Sequence, residues 1–455
     1  MDNNILFDQK FNILSLMKFS LPSIIVMLIL SMYQFVDGFF VSNFIDTSAL
    51  GAINIVYPVI LIGSGISLMI GSCGSILIAK TLGEGNKEKA NSIFSFLIFI
   101  SILLAVFIGV VGTCFIDELV TFLGATDVYF EMAKSYLQIH FYFIVYFYLQ
   151  NIFQILFVTA SKPRIGLITM IIAGILNIIL NYVFIVVLNL GTEGAALSSG
   201  ISFLVPAVTG IMYFSISKNP LFRFSSFKFH FKILLDVILN SSSELLGNIA
   251  NAITTLIFNY QFYKFYQNVG VDSITIVLYF QFFVSSLMYG FSSGIIPIIS
   301  YKYGKRQARE IQSLKRKGLL IVLILGGLSF ILSLLLISPV AKMLSGGSQE
   351  VYDLTVANFG YFSFSLLFMG ISIYASSYFT AIHDDMSSLR ISVLRTFVFL
   401  IASLFILPLI FDEIGLWGAT AVAEFLGAIV SLGYLLFKKL YIKRVVNKQQ
   451  VLKKV

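Results

Sequence analysis

Apolar stretches of about twenty residues recur from one end of this chain to the other, and nothing else in it limits the fold as strongly. A run of that length crosses the ~30 Å hydrocarbon layer of a bilayer as a helix, which satisfies its own backbone polar groups there. A membrane barrel would show ten-residue alternation instead, and the sequence lacks it. Composition agrees, with 58% hydrophobic and 11% charged residues in 455, against roughly 25% charged in soluble domains. The runs predict twelve spans, near 19–43, 52–79, 91–114, 130–158, 165–188, 195–216, 233–263, 273–300, 317–341, 352–381, 388–411 and 415–438.

Charge placement orients these spans. Sorted by the side each connection must occupy, 27 of the 30 Lys and Arg fall with both termini, leaving Lys134, Lys264 and Lys342 opposite. Both termini are therefore expected in the cytoplasm. The net charge of +8 reads as membrane orientation and not as a nucleic-acid surface. The N-terminus carries Asp2 and Asp8 before its first lysine, unlike the basic start of a signal peptide.

Enzyme chemistry finds little support. Gly290-Phe291-Ser292-Ser293-Gly294 fits a nucleophile elbow in letters, but it lies inside an apolar span, where its glycines suit helix packing. His140, His230 and His383 have no Cys, Asp or Glu at zinc spacing, and Cys73 and Cys114 sit in apolar runs as packing residues. No Walker A lysine motif is present. The expectation is a chain that is not an enzyme, carries no cofactor and does not burn ATP.

The two halves look related. Gly83 recurs as Gly304 at an offset of 221, and Gly191 and Gly194 recur as Gly415 and Gly418 at 224. Six spans per repeat give both halves one orientation, the parallel kind of duplication. The expected division is a six-helix lobe over 1–216, a cytoplasmic linker over 217–232, a second lobe over 233–440 and a basic tail over 441–455. Two lobes in one chain favour alternating access.

Polar residues inside the spans mark candidate sites, because an ionised carboxylate at mid-bilayer costs about 2.5–3.5 kcal/mol even on the lenient scale. Asp37, Glu244 and Glu424 are such residues. Ser31, Gln34 and Asp37 share one helix face, as do Asn177 and Asn181. Glu244, Asn248, Asn251, Thr255 and Asn259 form a stripe that cannot face lipid, and it is expected to line a cavity. His140, Gln150 and Gln154 lie near one face of span 4, and Phe364 and Tyr374 belong to an aromatic series in span 10. Aromatic walls with a few acids suit flat lipophilic cations.

Several fragments, in order and spacing, resemble the multidrug and toxic-compound extrusion (MATE) family across nearly the whole chain. They include Leu21-Pro22, Tyr33-Gln34-Phe35-Val36-Asp37, Ala49-Leu50-Gly51-Ala52, Leu82-Gly83-Glu84-Gly85-Asn86 and Asn177-Ile178-Ile179-Leu180-Asn181. Gly194-Ala195-Ala196, Pro297-Ile298-Ile299-Ser300 with Tyr303-Gly304, and Gly415-Leu416-Trp417-Gly418 complete the set. The resemblance implies a V-shaped pair of six-helix lobes around a central cavity, a monomer in the bacterial plasma (inner) membrane. It implies export of amphipathic, usually cationic small molecules by antiport against protons or sodium. Asp37 matches the family's helix 1 acid and Asn177 its helix 5 Asn, while Asn181 stands where many relatives have Asp. Sodium at Asp37, Asn177 and Asn181 is implied as one form of coupling, with Glu244 matching a further coupling acid and Glu424 lying near a family Glu. A lipid-linked saccharide flippase of the wider superfamily is the alternative; it calls for a more cationic cavity, and Arg395 is the clearest base inside a span.

Overall fold

Where the sequence shows apolar runs the chain is helical, and the described residues contain no strand. The computed structural model describes residues 11–83, 86–160, 162–217, 221–226, 231–304, 307–382 and 384–437. The side chains of Gln34 and Glu244, two of the expected site residues, lie outside the described residues.

The helices are α1 Ile13–Phe44, α2 Thr47–Gly83, α3 Lys87–Cys114, the short α4 Ile116–Phe122, α5 Asp127–Tyr142, α6 Ile144–Thr159, α7 Pro163–Asn181 and α8 Gly191–Ile216. They continue as α9 Phe231–Gly304, α10 Ala308–Leu344, α11 Gln349–Ser363, α12 Ser365–Ala381, α13 Asp385–Val393 and α14 Leu400–Phe437. Two π turns interrupt the regular geometry, Tyr182–Val187 after α7 and Leu394–Phe399 between α13 and α14. Local chemistry sets the starts. Asn86 Oδ1 accepts from the amide of Lys89 at 3.0 Å to cap α3, Pro163 opens α7, and Asp384 caps α13 through Ser387.

Among the described residues, seven helices are long and apolar enough to cross a membrane, or nine if each of two bent pairs is one span. Spans 4 and 10, expected as single helices, are those pairs: α5 and α6 meet at 61°, α11 and α12 at 51°. No proline marks either bend. At each, a glycine of a neighbouring helix lets backbone come close to the carbonyls near the break, Gly109 against Phe141 O and Gly326 against Leu366 O and Leu367 O. A straight helix of the 74 residues in α9 would reach roughly 110 Å, far beyond a bilayer. Gln267 breaks it with φ 55°, and Asp412 breaks α14 with φ 48°.

The repeat seen in glycines extends to the backbone. The start of α3 at Lys87 recurs at Ala308, and the bend at Phe143 recurs at Phe364, both 221 residues on. The positive-φ residue Asn189 recurs as Asp412, 223 on, and each half carries one π turn.

Packing divides the chain into two compact units, and their borders fall within α1, α9 and α10 and at the start of α11. One contains residues up to Phe35, Gln261–Lys342 and everything from Gln349; the other contains Val36–Tyr260 with Met343–Ser348. The first is built on Phe291, Ile295, Ile298, Leu314, Tyr374, Tyr378 and Phe379. The second is built on a knot of rings, Phe94, Phe153, Phe157, Phe214 and Phe222, with Phe214 stacked on Phe222 at 4.9 Å. Phe222 belongs to the expected linker, and this stretch is tied down by Asn91 and Ser95 of α3, which accept from the amides of Arg223 and Ser225 at 2.9 Å. Large apolar side chains stay exposed along whole helix faces, among them Phe99, Leu103, Phe107 and Val110 of α3 and Ile168, Ile172, Ile175 and Ile179 of α7. Such faces would be a liability in water and are what a helix shows to lipid.

Candidate functional site

In the first half, the described acid that stands well inside an expected membrane span is Asp37. It stands more than six turns into α1, half-buried, and its neighbours come from the end of α7. Asn181 and Asn177 are four residues apart on one face of that helix, both 0% exposed. Asn181 Nδ2 donates to Asp37 Oδ1 at 2.7 Å and to Asn177 Oδ1 at 3.0 Å. Asn177 Nδ2 in turn donates to Ser199 Oγ of α8 at 3.3 Å. Asn181 is the last residue before the π turn Tyr182–Val187, and π turns cluster at functional positions because they re-aim side chains within a helix. The sequence reading brought Asp37, Asn177 and Asn181 together, and the structure adds Ser199.

Two features leave this contact unfinished. No ion pair among the described residues involves Asp37. Asn181 Oδ1 is buried with no hydrogen-bond partner, a state that costs about 1–3 kcal/mol unless something fills it. The donor set is therefore a carboxylate and amide oxygens, all hard, which suits a proton or a small hard cation. Among the described residues no group of three His, Cys, Asp or Glu could hold a metal.

Other expected site residues fall elsewhere. Glu424 of α14 is 6% exposed, and Arg395 from the second π turn donates through Nε to both of its oxygens, at 2.9 and 2.7 Å. Its charge is balanced inside the protein. Asn259 is buried and bonded to Asn54 Nδ2 at 2.8 Å, and Asn248 packs against Gly65, so this part of the stripe holds α9 to α2; Asn251 is exposed. His140 is buried against the rings of Phe147 and Phe203. Gln154 Nε2 reaches the carbonyl of Gly166 at 3.3 Å, tying α6 to α7, and Gln150 is half-buried. Tyr374 is 1% exposed with its hydroxyl on the carbonyls of Leu314 and Lys315 at 3.3 Å, a packing residue beneath Gly318. Phe364 is exposed beside Phe330. Ser292 is enclosed: the glycines on either side of it lie against the backbone of α1, Gly290 at Ile24 and Gly294 at Ser20.

Comparison with known proteins decides the family. The MatE family model matches residues 22–183 and again 245–406, one copy in each half. The chain belongs to the MatE family. Among curated relatives, multidrug export protein MepA of Staphylococcus aureus (strain MRSA252) is 24% identical over 426 residues, covering 92% of each chain. Solved structures agree on the fold. A multidrug resistance MATE transporter of the MOP superfamily in an inward-facing conformation matches with TM-score 0.84 at 19% identity, over 92% of this chain and 99% of that one. An outward-facing MATE transporter matches with TM-score 0.78 at 19% identity, over 98% and 99%. This MatE protein is thus a multi-span membrane transporter and not an enzyme.

Proposed function

We propose that this MatE protein is a secondary active exporter that moves amphipathic, cationic small molecules out of the cell in exchange for a proton or sodium, by alternating access. The observation that carries the reading is Asp37: a half-buried acid in a membrane helix, held by the amide of Asn181, beside a buried amide oxygen with no partner. A site of that kind is left for a ligand to complete. If sodium is the coupling ion, Asp37, Asn181 Oδ1 and Asn177 Oδ1 are the oxygens that would hold it. If the proton is, Asp37 or Glu244 takes it. Coupling then requires ion and cargo to differ in affinity between the two states of access.

The same reading puts the protein in the plasma membrane of a bacterium as a monomer, with both termini cytoplasmic. Twelve spans follow if α1 joins the nine and the breaks at Gln267 and Asp412 each divide a helix into two. The lobes 1–216 and 233–440 would be the moving halves. The flippase alternative gains nothing, since Arg395, the base it would use for a pyrophosphate, is already bound to Glu424.

The test is ethidium efflux from cells expressing the chain, with sodium and pH varied separately, beside Asp37→Asn. Efflux that follows one gradient and vanishes in the variant names the ion and supports the reading. Efflux of equal rate in the variant removes Asp37 from coupling.

A further inference from the structure

The start of α10 carries four basic residues between positions 309 and 317, and the fold sorts them by face. Lys315 and Lys317 are half-buried, and their ammonium groups donate to the carbonyls of Leu435 at 2.7 Å and Phe11 at 2.6 Å. Their charge is spent on holding neighbouring backbone. Arg309 and Arg316 are exposed, and neither enters an ion pair among the described residues. Seven residues make close to two turns, so both arginines stand on one face, about 10 Å apart along the axis. Gln312 and Ser313 lie between them, both half-buried.

The same face continues as an apolar strip. Leu320 and Leu323 follow the arginines, each 45% exposed, and Ile331 comes later at 57%. Gly327 stands between them, and a Cβ placed on it would meet nothing within 4 Å, which leaves room for a hydrocarbon chain to lie against the helix. Half of the hydrocarbon layer is roughly 15 Å deep, or about ten residues of helix. Counted from Arg316, that depth ends next to Gly327. A charged head region followed by the apolar depth of one leaflet has the outline of a phospholipid.

Charge selects which phospholipid. A guanidinium presents paired N–H donors that match a phosphate, and two of them without a carboxylate call for net negative charge. A soluble anion would use the arginines and leave the strip below them idle. The first half closes the equivalent face with its own chain. At the offset of 221, Arg309 becomes Glu88, Gln312 becomes Asn91 and Arg316 becomes Ser95, and Asn91 and Ser95 are taken by the amides of Arg223 and Ser225. The stretch that follows α14, residues 438–455, carries seven basic residues and no acidic one, so like charge disfavours it as the matching cover for α10. We propose that the exposed face of α10 from Arg309 to Gly327 is a binding site for an anionic phospholipid. Arg309 and Arg316 hold its phosphate, and an acyl chain lies along Leu320, Leu323 and Gly327. The site depends on neither the cargo nor the coupling ion.

Photolabelling of the full-length protein in phosphatidylcholine nanodiscs tests this directly. A small fraction of phosphatidylglycerol or phosphatidylcholine carries a diazirine in its acyl chain, and the labelled peptides are mapped by mass spectrometry. In wild type, phosphatidylglycerol is expected to label the stretch 317–327 in clear excess over phosphatidylcholine. Arg309→Gln with Arg316→Gln should lower that excess about thirtyfold, and either change alone roughly fivefold. Should the double variant not fold, the single ones carry the test. Lys87→Gln with Lys89→Gln removes two exposed charges from the start of α3 and should leave labelling of α10 as it was. An excess that survives the loss of both arginines overturns the proposal. So does an equal fall in the α3 variant, since surface charge anywhere would then suffice. Displacement of the lipid by millimolar glycerol phosphate would make this a soluble-anion site and would overturn the proposal as well.

Discussion

Each half of this transporter places a carboxylate beside a π turn, and the two are finished in opposite ways. In the first, Asp37 meets the amides of Asn181 and Asn177, and an amide oxygen is left over. In the second, Glu424 meets an arginine from within the same compact unit, bonded through Nε to both oxygens. A carboxylate with amides depends on a mobile cation or a proton to balance it. A carboxylate with an arginine carries its cation on a tether. Both halves match one family model, and a few polar residues make the surroundings of the two carboxylates differ.

The sharpest break of that comparison is Asp37→Asn against the double replacement Arg395→Met with Glu424→Leu. Asparagine keeps the size of Asp37 and loses the charge, so ion-driven efflux should fall to the level of cells lacking the protein. Protein abundance in the membrane should not change. The C-terminal double variant should retain substrate binding, measured by dye anisotropy on purified protein. Loss of binding there with binding intact in Asp37→Asn would reverse the roles of the two halves.

The second prediction concerns stability. A buried ion pair is weak evidence for stability, but removing one partner strands the other, at about 3–5 kcal/mol. Arg395→Met alone should therefore destabilise strongly, while Arg395→Met with Glu424→Leu should lie close to wild type. Thermal unfolding of the purified variants in one detergent checks the order. If the single variant unfolds with the double, the pair is not desolvated as its 10% and 8% side-chain exposures indicate.

Much of this contrast was legible in the sequence, and the rest was hidden for definite reasons. Asp37 with Asn177 and Asn181 stood out because polar groups in a membrane helix are expensive and four-residue spacing puts them on one face. Ser199 did not, since Ser198, Ser199 and Ser202 look alike until α8 is packed. Arg395 and Glu424 were each visible alone, and their pairing depends on which faces of the second π turn and α14 meet. The polar stripe on α9 read as a cavity wall, but Asn259 bonds to Asn54 and Asn248 packs on Gly65. Spacing identifies a shared face and does not tell whether water or a neighbouring helix covers it. The bends at Phe143 and Phe364 left no local mark, because the glycines that admit them, Gly109 and Gly326, lie on other helices.

The comparison extends to how each compact unit holds the helix it shares with the other half of the sequence, where smaller effects are expected. The unit containing the start of α1 grips it by close backbone approach: a Cβ on Gly290 would stand 2.6 Å from Ile24 Cα. Overpacking of that kind costs about 1–3 kcal/mol, so Gly290→Val should lower the unfolding temperature and Gly290→Ser should do so less. A Gly290→Val protein as stable as wild type would mean that α1 can move away freely, and that small-residue packing does not fix it.

The other unit holds the early part of α9 by an amide pair, Asn54 to Asn259 at 2.8 Å. Polar contacts between membrane helices average about 0.6 kcal/mol in double-mutant cycles, because the unpacked helices find other partners in the membrane. Asn54→Ala and Asn259→Ala should each cost little, with a coupling between them of that size. Both should leave ethidium efflux near wild type, since the pair sits in a helix contact and not beside Asp37. A loss of efflux as deep as that of Asp37→Asn would instead return Asn259 to the transport path, and the stripe on α9 would regain the cavity role that its spacing first suggested.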